Sequence, residues 1–387
     1  MRLLLVGNYV PDAQQSMRRF EDLLARGLRD RGVAVDVARP GVRWGGRPQA
    51  ALGKWRGYVD KYLRFPRELR AFEARADLVH VVDHSNAVYV PRRPEVPWIV
   101  TCHDLLAVRG ARGEDTDCPA SPAGRLLQRA ILAGLRRATA VACDSTSTLN
   151  DLKRLAPEAL SQRRKLILLG LNRAWRPLTA AEALARLAAL PAVPWDQPFL
   201  LHVGSNLRRK NKAAIIRVLA RLRDRWPGHV VFCGGGFPAE LEGPARAAGV
   251  RDRMFAIPAP DDAQLEAAYA RAHALVYPSK CEGFGWPVIE AQACGCPVIC
   301  SDRTSLPEVG GDAARVHALD DEAGMAESVV QLADPEVRRA VVARGFANVE
   351  RFDPARMLSA YLQLYTAVLP AAPVEERRLA GSGLSQQ

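Results

Sequence analysis

From Ser279 to Ile299 the chain reads Ser-Lys-Cys-Glu-Gly-Phe-Gly-Trp-Pro-Val-Ile-Glu-Ala-Gln-Ala-Cys-Gly-Cys-Pro-Val-Ile. Two carboxylates, Glu282 and Glu290, bracket a glycine-rich turn; Pro287 stands where the first turn of a helix tolerates it, and Gly295 stands at its close. A strand predicted to end at Tyr277 runs into this turn. The backbone N–H groups of Gly283, Phe284, Gly285 and Trp286, with the positive end of the helix, then form a site suited to a phosphate. Eight residues along a helix rise about 12 Å, whereas carboxylates that cut one glycosidic bond stand roughly 5–9.5 Å apart. The pair is badly spaced for acid/base work on one bond. It is well spaced to grip the two ends of a long ligand with phosphates between, the shape of a nucleotide sugar. Two solvent-facing helix charges are the competing reading.

These residues need a framework of strands that end at a common edge. Short β-branched or Leu-rich runs alternate with longer Ala/Leu/Arg stretches of helical period, the pattern of α/β domains on parallel sheets. The runs predict strands at Arg2–Val6, Val33–Val37, Leu78–Val82, Trp98–Cys102, Ala140–Cys143 and Lys165–Leu168. A second series is predicted at Phe199–Val203, Val230–Cys233, Met254–Ala256, Ala274–Tyr277 and Pro297–Cys300, with helices at Lys212–Trp226 and Asp262–Ala272. Prolines 177, 191, 194 and 198 interrupt the chain between the two series. The expected organisation is a first Rossmann-like domain over 1–171, a connection over 172–198 and a second Rossmann-like domain over 199–352. A closing helix over 353–370 and a disordered tail over 371–387 complete it. Open sheets of this kind bind ligands at the carboxyl ends of their strands, so two of them facing each other enclose a cleft.

A length of 387 residues fits two domains, and 48% hydrophobic with 25% charged residues excludes a mainly disordered chain. No stretch approaches the roughly 18 uncharged apolar residues that span a bilayer, and Leu3-Leu4-Leu5-Val6 is too short for a secretory leader. A cytoplasmic protein is expected. The net charge of +12 is lopsided, with +11 on residues 1–170 and +1 on the rest, which points to an anionic partner met by the first domain. Nine basic residues against three acids lie between Arg43 and Arg75, interleaved with Trp44, Trp55, Tyr58, Tyr62, Phe65 and Phe72. Such a helix could lie on an anionic membrane or pack its aromatics on the first sheet. No nucleic-acid-binding motif accompanies it.

Glu-x7-Glu around Gly-Phe-Gly-x-Pro, followed by Ala-x-Ala-Cys-Gly-Cys-Pro-Val-Ile, resembles the signature of retaining family-4 (group 1) glycosyltransferases of the GT-B fold. The resemblance continues through Leu201-His202-Val203-Gly204 with Arg209-Lys210-Asn211, through Val231 to Gly236, Leu306-Pro307-Glu308-Val309 and Thr101-Cys102-His103-Asp104. It implies that Glu290 holds the donor's ribose, that Glu282 contacts hydroxyls of the transferred sugar, and that Arg209 and Lys210 hold the diphosphate. His103 would contact the donor sugar, and Gly204 would lie in the donor site. The chain departs from the common pattern in two places. Ser205 and Asn206 follow Gly204 where many relatives have arginine, so Arg208 or Arg209 must supply that charge or it is absent. Asn8 to Met17 replaces a Gly-Gly loop, so Gln15 and Ser16, with Asp104, are the expected acceptor-side residues.

The implied reaction is metal-independent hexose transfer, mannose-like by general likeness, from a GDP-sugar or a UDP-sugar. The acceptor would be a glycan or lipid-linked glycan in bacterial surface-polysaccharide assembly, met at the inner face of the membrane. No cofactor is expected. Cys281, Cys294, Cys296 and Cys300 cluster in sequence without the spacing of a zinc knuckle, and the eight cysteines read as buried thiols. A nucleotide-sugar epimerase of the same fold and a non-catalytic glycan- or membrane-binding scaffold are the rivals.

Overall fold

The computed structural model describes residues 1–45, 56–157, 164–190 and 193–370. The tail over 371–387 and part of the basic segment, including Arg47, Lys54 and Trp55, lie outside the described residues. The first sheet comprises β1 (Arg2–Val6), β2 (Ala34–Ala38), β3 (Leu78–Val81), β4 (Trp98–Cys102), β5 (Ala140–Cys143) and β6 (Arg164–Leu166). They pair in the order β2-β1-β3-β4-β5-β6, every pair parallel. The second holds β7 (Phe199–Val203), β8 (His229–Cys233), β9 (Met254–Ile257), β10 (Ala274–Tyr277), β11 (Val298–Ser301) and β12 (Ala314–His317). Its order is β12-β11-β10-β7-β8-β9, again parallel throughout.

Central strands such as Leu3-Leu4-Leu5-Val6 and Phe199-Leu200-Leu201 are buried on both faces because helices cover both sides of a parallel sheet. Continuous apolar runs, not alternation, are what that environment selects. In each sheet the strand order reverses once, between β1 and β3 in the first and between β7 and β10 in the second. The connections there leave to opposite faces and open a crevice at the strand ends.

The proline-punctuated stretch is more than a connector. Thr179 and Glu182 form a capping box that starts the helix Ala180–Leu187, which packs against the helix Asp262–Arg271 of the second sheet. The helix Pro354–Val368 returns to the first sheet. The Tyr365 hydroxyl meets His80 Nδ1 at 2.8 Å and the Tyr361 hydroxyl meets Thr101 Oγ1 at 2.8 Å. Leu358 lies against Gly27, where even a methyl group would overlap it.

In the basic segment, residues 56–73 are helical with a π-helical turn at Asp60–Arg64. Phe65 and Leu69 are buried against the first sheet, whereas Trp44, Val59, Leu63 and Phe72 are exposed. The helix therefore packs part of its apolar surface on the first sheet and leaves the rest exposed. Among the described residues no helix is long and apolar enough to cross a membrane.

Candidate active site

β10 ends at Tyr277, and the turn after it presses against the first domain before the helix Trp286–Ala293 begins. Two glycines make this possible. A Cβ on Gly283 would fall 2.2 Å from the His103 carbonyl oxygen of the facing domain, so only glycine allows the approach. Gly285 caps the helix at φ 102°, and a Cβ there would meet Leu306 Cδ2 at 2.9 Å. The Gly283 carbonyl accepts a bond from Ser145 Oγ at 2.7 Å, and Glu308 accepts from the Thr146 N–H at 2.8 Å and its hydroxyl at 2.7 Å. The two domains are thus closed on one another around the turn.

Lys210 comes from the short turn after β7, Arg208–Lys210. Its Nζ donates to Glu282 Oε1 at 2.7 Å and to the Tyr277 hydroxyl at 2.7 Å. Arg209 Nη1 donates to Glu282 Oε2 at 3.1 Å and to the Cys281 carbonyl at 3.0 Å. Burial alone would raise the Glu282 carboxyl, but Lys210 and then Arg209 outweigh it and hold it below the usual carboxylate range. Burial depresses the Lys210 ammonium against the pull of that same carboxylate. The cluster is an ionised carboxylate clamped by two cations. Arg208 is exposed, and of the two arginines Arg209 lines the cavity.

Glu290 is buried one turn into the helix. Asn172 Nδ2 donates to its Oε1 at 2.7 Å and the Tyr269 hydroxyl to its Oε2 at 2.9 Å. Burial nevertheless lifts its carboxyl above the ordinary range. The reading of the two glutamates as solvent-facing charges is overturned, since both are buried on the cleft. A cavity of about 330 Å³ joins Ser16, His103, Asp104, Ser205, Arg209, Lys210, Glu282 and the turn from Gly283 to Trp286. A second, of about 680 Å³, runs from Gln15, Ser16 and Arg19 past Gly204 and Ser205 to Gly234, Pro258 and Glu290. Asn206 is not among the residues lining either cavity; it donates to the Gly235 carbonyl and accepts from Lys212 Nζ at 2.6 Å.

His103 lines the smaller cavity with its ring engaged in the first domain. Its Nδ1 lies 3.0 Å from Asp144 Oδ2 and its Nε2 2.9 Å from the Val82 carbonyl, so both ring nitrogens are spent inside the first domain. Its strand-end position was legible, but the buried acid that turns the ring inward lies 41 residues away.

Sequence reasoning also missed the supports. Asp117 Oδ2 accepts the Arg209 N–H at 2.7 Å from across the cleft, and Asn172 and Tyr269 hold Glu290. Only the polar residue types were visible, without a spacing to single them out. All eight cysteines are free thiols; Cys118 and Cys281 are half-buried and the others buried.

Residues 191–336 match the family described as Glycosyl transferases group 1, and residues 19–164 match Glycosyltransferase Family 4. The O-antigen chain mannosyltransferase B of Escherichia coli is 46% identical over 92 residues, 24% of this chain and 24% of that relative, so this match spans about a quarter of the relative's length. The D-inositol 3-phosphate glycosyltransferase of Acidothermus cellulolyticus is 28% identical over 93% of this chain and 86% of its own length. Among solved structures, sucrose-phosphate synthase from Thermosynechococcus elongatus superposes with a TM-score of 0.76 at 22% identity, covering 95% of this chain and 99% of that one. HepE of Anabaena in complex with UDP-glucose gives 0.71 at 14% identity, over 95% and 100%. These structural likenesses establish the facing pair of sheets as the GT-B arrangement.

Proposed function

The chain belongs to the group 1 glycosyltransferases of the GT-B type, and from that premise we propose that it moves a hexose, with retention of configuration, from a nucleotide-diphosphate sugar to a glycan or lipid-linked glycan of a bacterial surface polysaccharide. The observation that carries this reading is the Glu282 carboxylate held by Lys210 and Arg209 beside a helix N-terminus, with the cavity continuing to Glu290.

A diphosphate entering the smaller cavity competes with Glu282 for the two cations. Glu282, an acceptor only, is then released to receive hydrogen bonds from hydroxyls of the sugar. The C1–O bond to the diphosphate breaks and the acceptor oxygen bonds to C1 on the same face. The acceptor proton passes to the departing phosphate oxygen. Lys210, Arg209 and the helix terminus meet the negative charge as it grows on the leaving group, so they favour the transition state over the ground state. No metal ion is required by this reading. Glu290 receives the ribose hydroxyls, while Ser16, Gln15 and Asp104 face the acceptor. His103, paired with Asp144, shapes the wall.

The mannosyltransferase relative supports a mannose-like sugar and with it a GDP donor; HepE, solved with UDP-glucose, supports keeping uridine in view. The exposed Trp44, Val59, Leu63 and Phe72 among basic residues support a peripheral site at the inner membrane face. A thermal-shift panel of GDP- and UDP-hexoses tests the donor. One base class should raise the melting temperature with rising ligand, and no stabilisation by any of them would end the reading.

A further inference from the structure

A second charged cavity lies on the first domain, away from the Lys210 cluster. It has a volume of about 460 Å³, and Arg112, Arg125, Arg129 and Arg136 line it. Arg125, Arg129, Leu132 and Arg136 succeed each other at intervals of four, three and four residues along the helix Pro122–Arg137, so they share one face. Arg112 arrives from the end of the neighbouring helix Leu106–Ala111. Val108 and Leu132, both buried, supply an apolar floor.

Glu114, two residues beyond Arg112, and Asp151 are already committed. Glu114 accepts from Arg109 at 2.8 Å and from Arg154 at 2.7 Å, and Asp151 accepts from the same two arginines at 3.0 and 3.1 Å. Arg136 donates to the Leu155 carbonyl at 3.2 Å. Among the described residues, no hydrogen bond or ion pair engages the side chains of Arg112, Arg125 or Arg129, and no acidic residue lines the cavity. Guanidiniums four residues apart on a helix repel each other, and a bound counter-charge relieves that repulsion. Arginine, unlike lysine, offers paired N–H groups that match the oxygens of a phosphate.

We propose that this cavity is a binding site for a phosphate or diphosphate group, separate from the donor site. The group is carried either on a soluble or acceptor-borne phosphate or on an anionic lipid headgroup. The site stands whether or not the donor reading holds.

The test compares the full chain, the double variant Arg125→Gln/Arg129→Gln and Lys210→Ala by calorimetric titration with inorganic pyrophosphate. Both arginines are exposed and glutamine keeps the helix, so the fold is spared. The native chain should bind two equivalents, the arginine variant one, and Lys210→Ala should keep the equivalent that the arginines hold. A native chain that binds one equivalent, lost with the arginines and kept by Lys210→Ala, would support this site and count against the donor site. Retention of every native pyrophosphate site by the arginine variant would overturn the proposal.

Sedimentation with vesicles of phosphatidylcholine containing phosphatidylglycerol separates the sources. At least a fivefold loss of vesicle binding in the arginine variant supports a headgroup. Unchanged vesicle binding alongside the lost pyrophosphate site supports a soluble or acceptor-borne phosphate.

Discussion

At the reversal of strand order in the first sheet, between β1 and β3, the chain fills the crevice with its own side chains. Asn8 Nδ2 donates to Asp83 Oδ2 at 2.6 Å, Asn86 Nδ2 donates to Asn8 Oδ1 at 2.7 Å, and Gln14 closes on Asn8 from the next helix. At the corresponding place in the second sheet, between β7 and β10, the strand ends carry Gly204 and the turn with Gly283 and Gly285, while the glycine loop 234–236 follows the neighbouring β8. Lys210 and Glu282 stand exposed to the cavity between them. Two sheets of one architecture thus diverge in the residues placed beyond their strand ends. Amides and short acids saturate one crevice, whereas glycines and long charged side chains leave the other able to exchange partners with a ligand. That difference is what the proposed placement of the donor in the second domain rests on.

The sharpest way to break this comparison is Lys210→Ala. If the second crevice stabilises a departing diphosphate, turnover should fall roughly 10²–10³-fold while the donor KM moves little, as for loss of a transition-state contact. Steady-state kinetics with a melting-temperature control reads it. An unchanged kcat would remove the leaving-group role.

Glu290→Ala comes next. Hydrogen bonds to a charged group are worth about 1.5–3 kcal/mol. Affinity for the bare nucleotide and for the sugar nucleotide should therefore drop together, by roughly 10- to 100-fold. Loss confined to the sugar nucleotide, measured by calorimetry, would mean that the roles of Glu282 and Glu290 are exchanged.

How much of this contrast was legible beforehand depends on the range of the interactions. Strands β1, β4, β5, β7 and β10 fall at the residues predicted, because buried parallel strands write their burial directly into apolar runs. β12 was missed: Ala314–His317 is a partly exposed edge strand that carries an arginine and a histidine. β6 starts one residue before its prediction and ends two short of it, for the same reason, being Arg-Lys-Leu at an edge of the first sheet. The helix expected over Lys212–Trp226 stops at Arg221, where turns replace it. In the site, Lys210, Arg209 and Glu282 were legible because local motifs fix them. The orientation of the His103 ring and the support of Glu290 by Asn172 were not, because partners 41 and 118 residues away decide them.

The first domain's saturated polar groups should register in stability and not in donor binding. His80 is fully buried between the Tyr365 hydroxyl and Thr101 Oγ1, and burial pulls its pKa down to about 3. Its folded value lies below the unfolded one of about 6.5, so the unfolded chain binds the extra proton between those limits. Stability from this group is present above pH 6.5 and is lost as pH falls toward 3. Between pH 7.5 and 5.5 the loss is about 1.4 kcal/mol. Denaturant titration of the native chain against His80→Gln isolates it from other groups, including Asp144, which is pushed up to about 6 by burial and runs the opposite way. Equal pH dependence of the two proteins would mean that His80 is not held neutral.

The smallest expected effect discriminates most directly between the two crevices. Asn86→Ala removes one buried donor from the Asn8–Asp83 network, which costs about 1 kcal/mol. Because Asn8, Asp83 and Asn86 line neither cavity of the cleft, the donor KM should stay within experimental error while the denaturation midpoint falls. Asn86 lines neither cavity of the cleft, so only a rearrangement of Asn8 and Gln14 could carry the change to the donor. A tenfold rise in donor KM with the midpoint unmoved would show that the first crevice is also a ligand site, and the division of labour between the sheets would have to be redrawn.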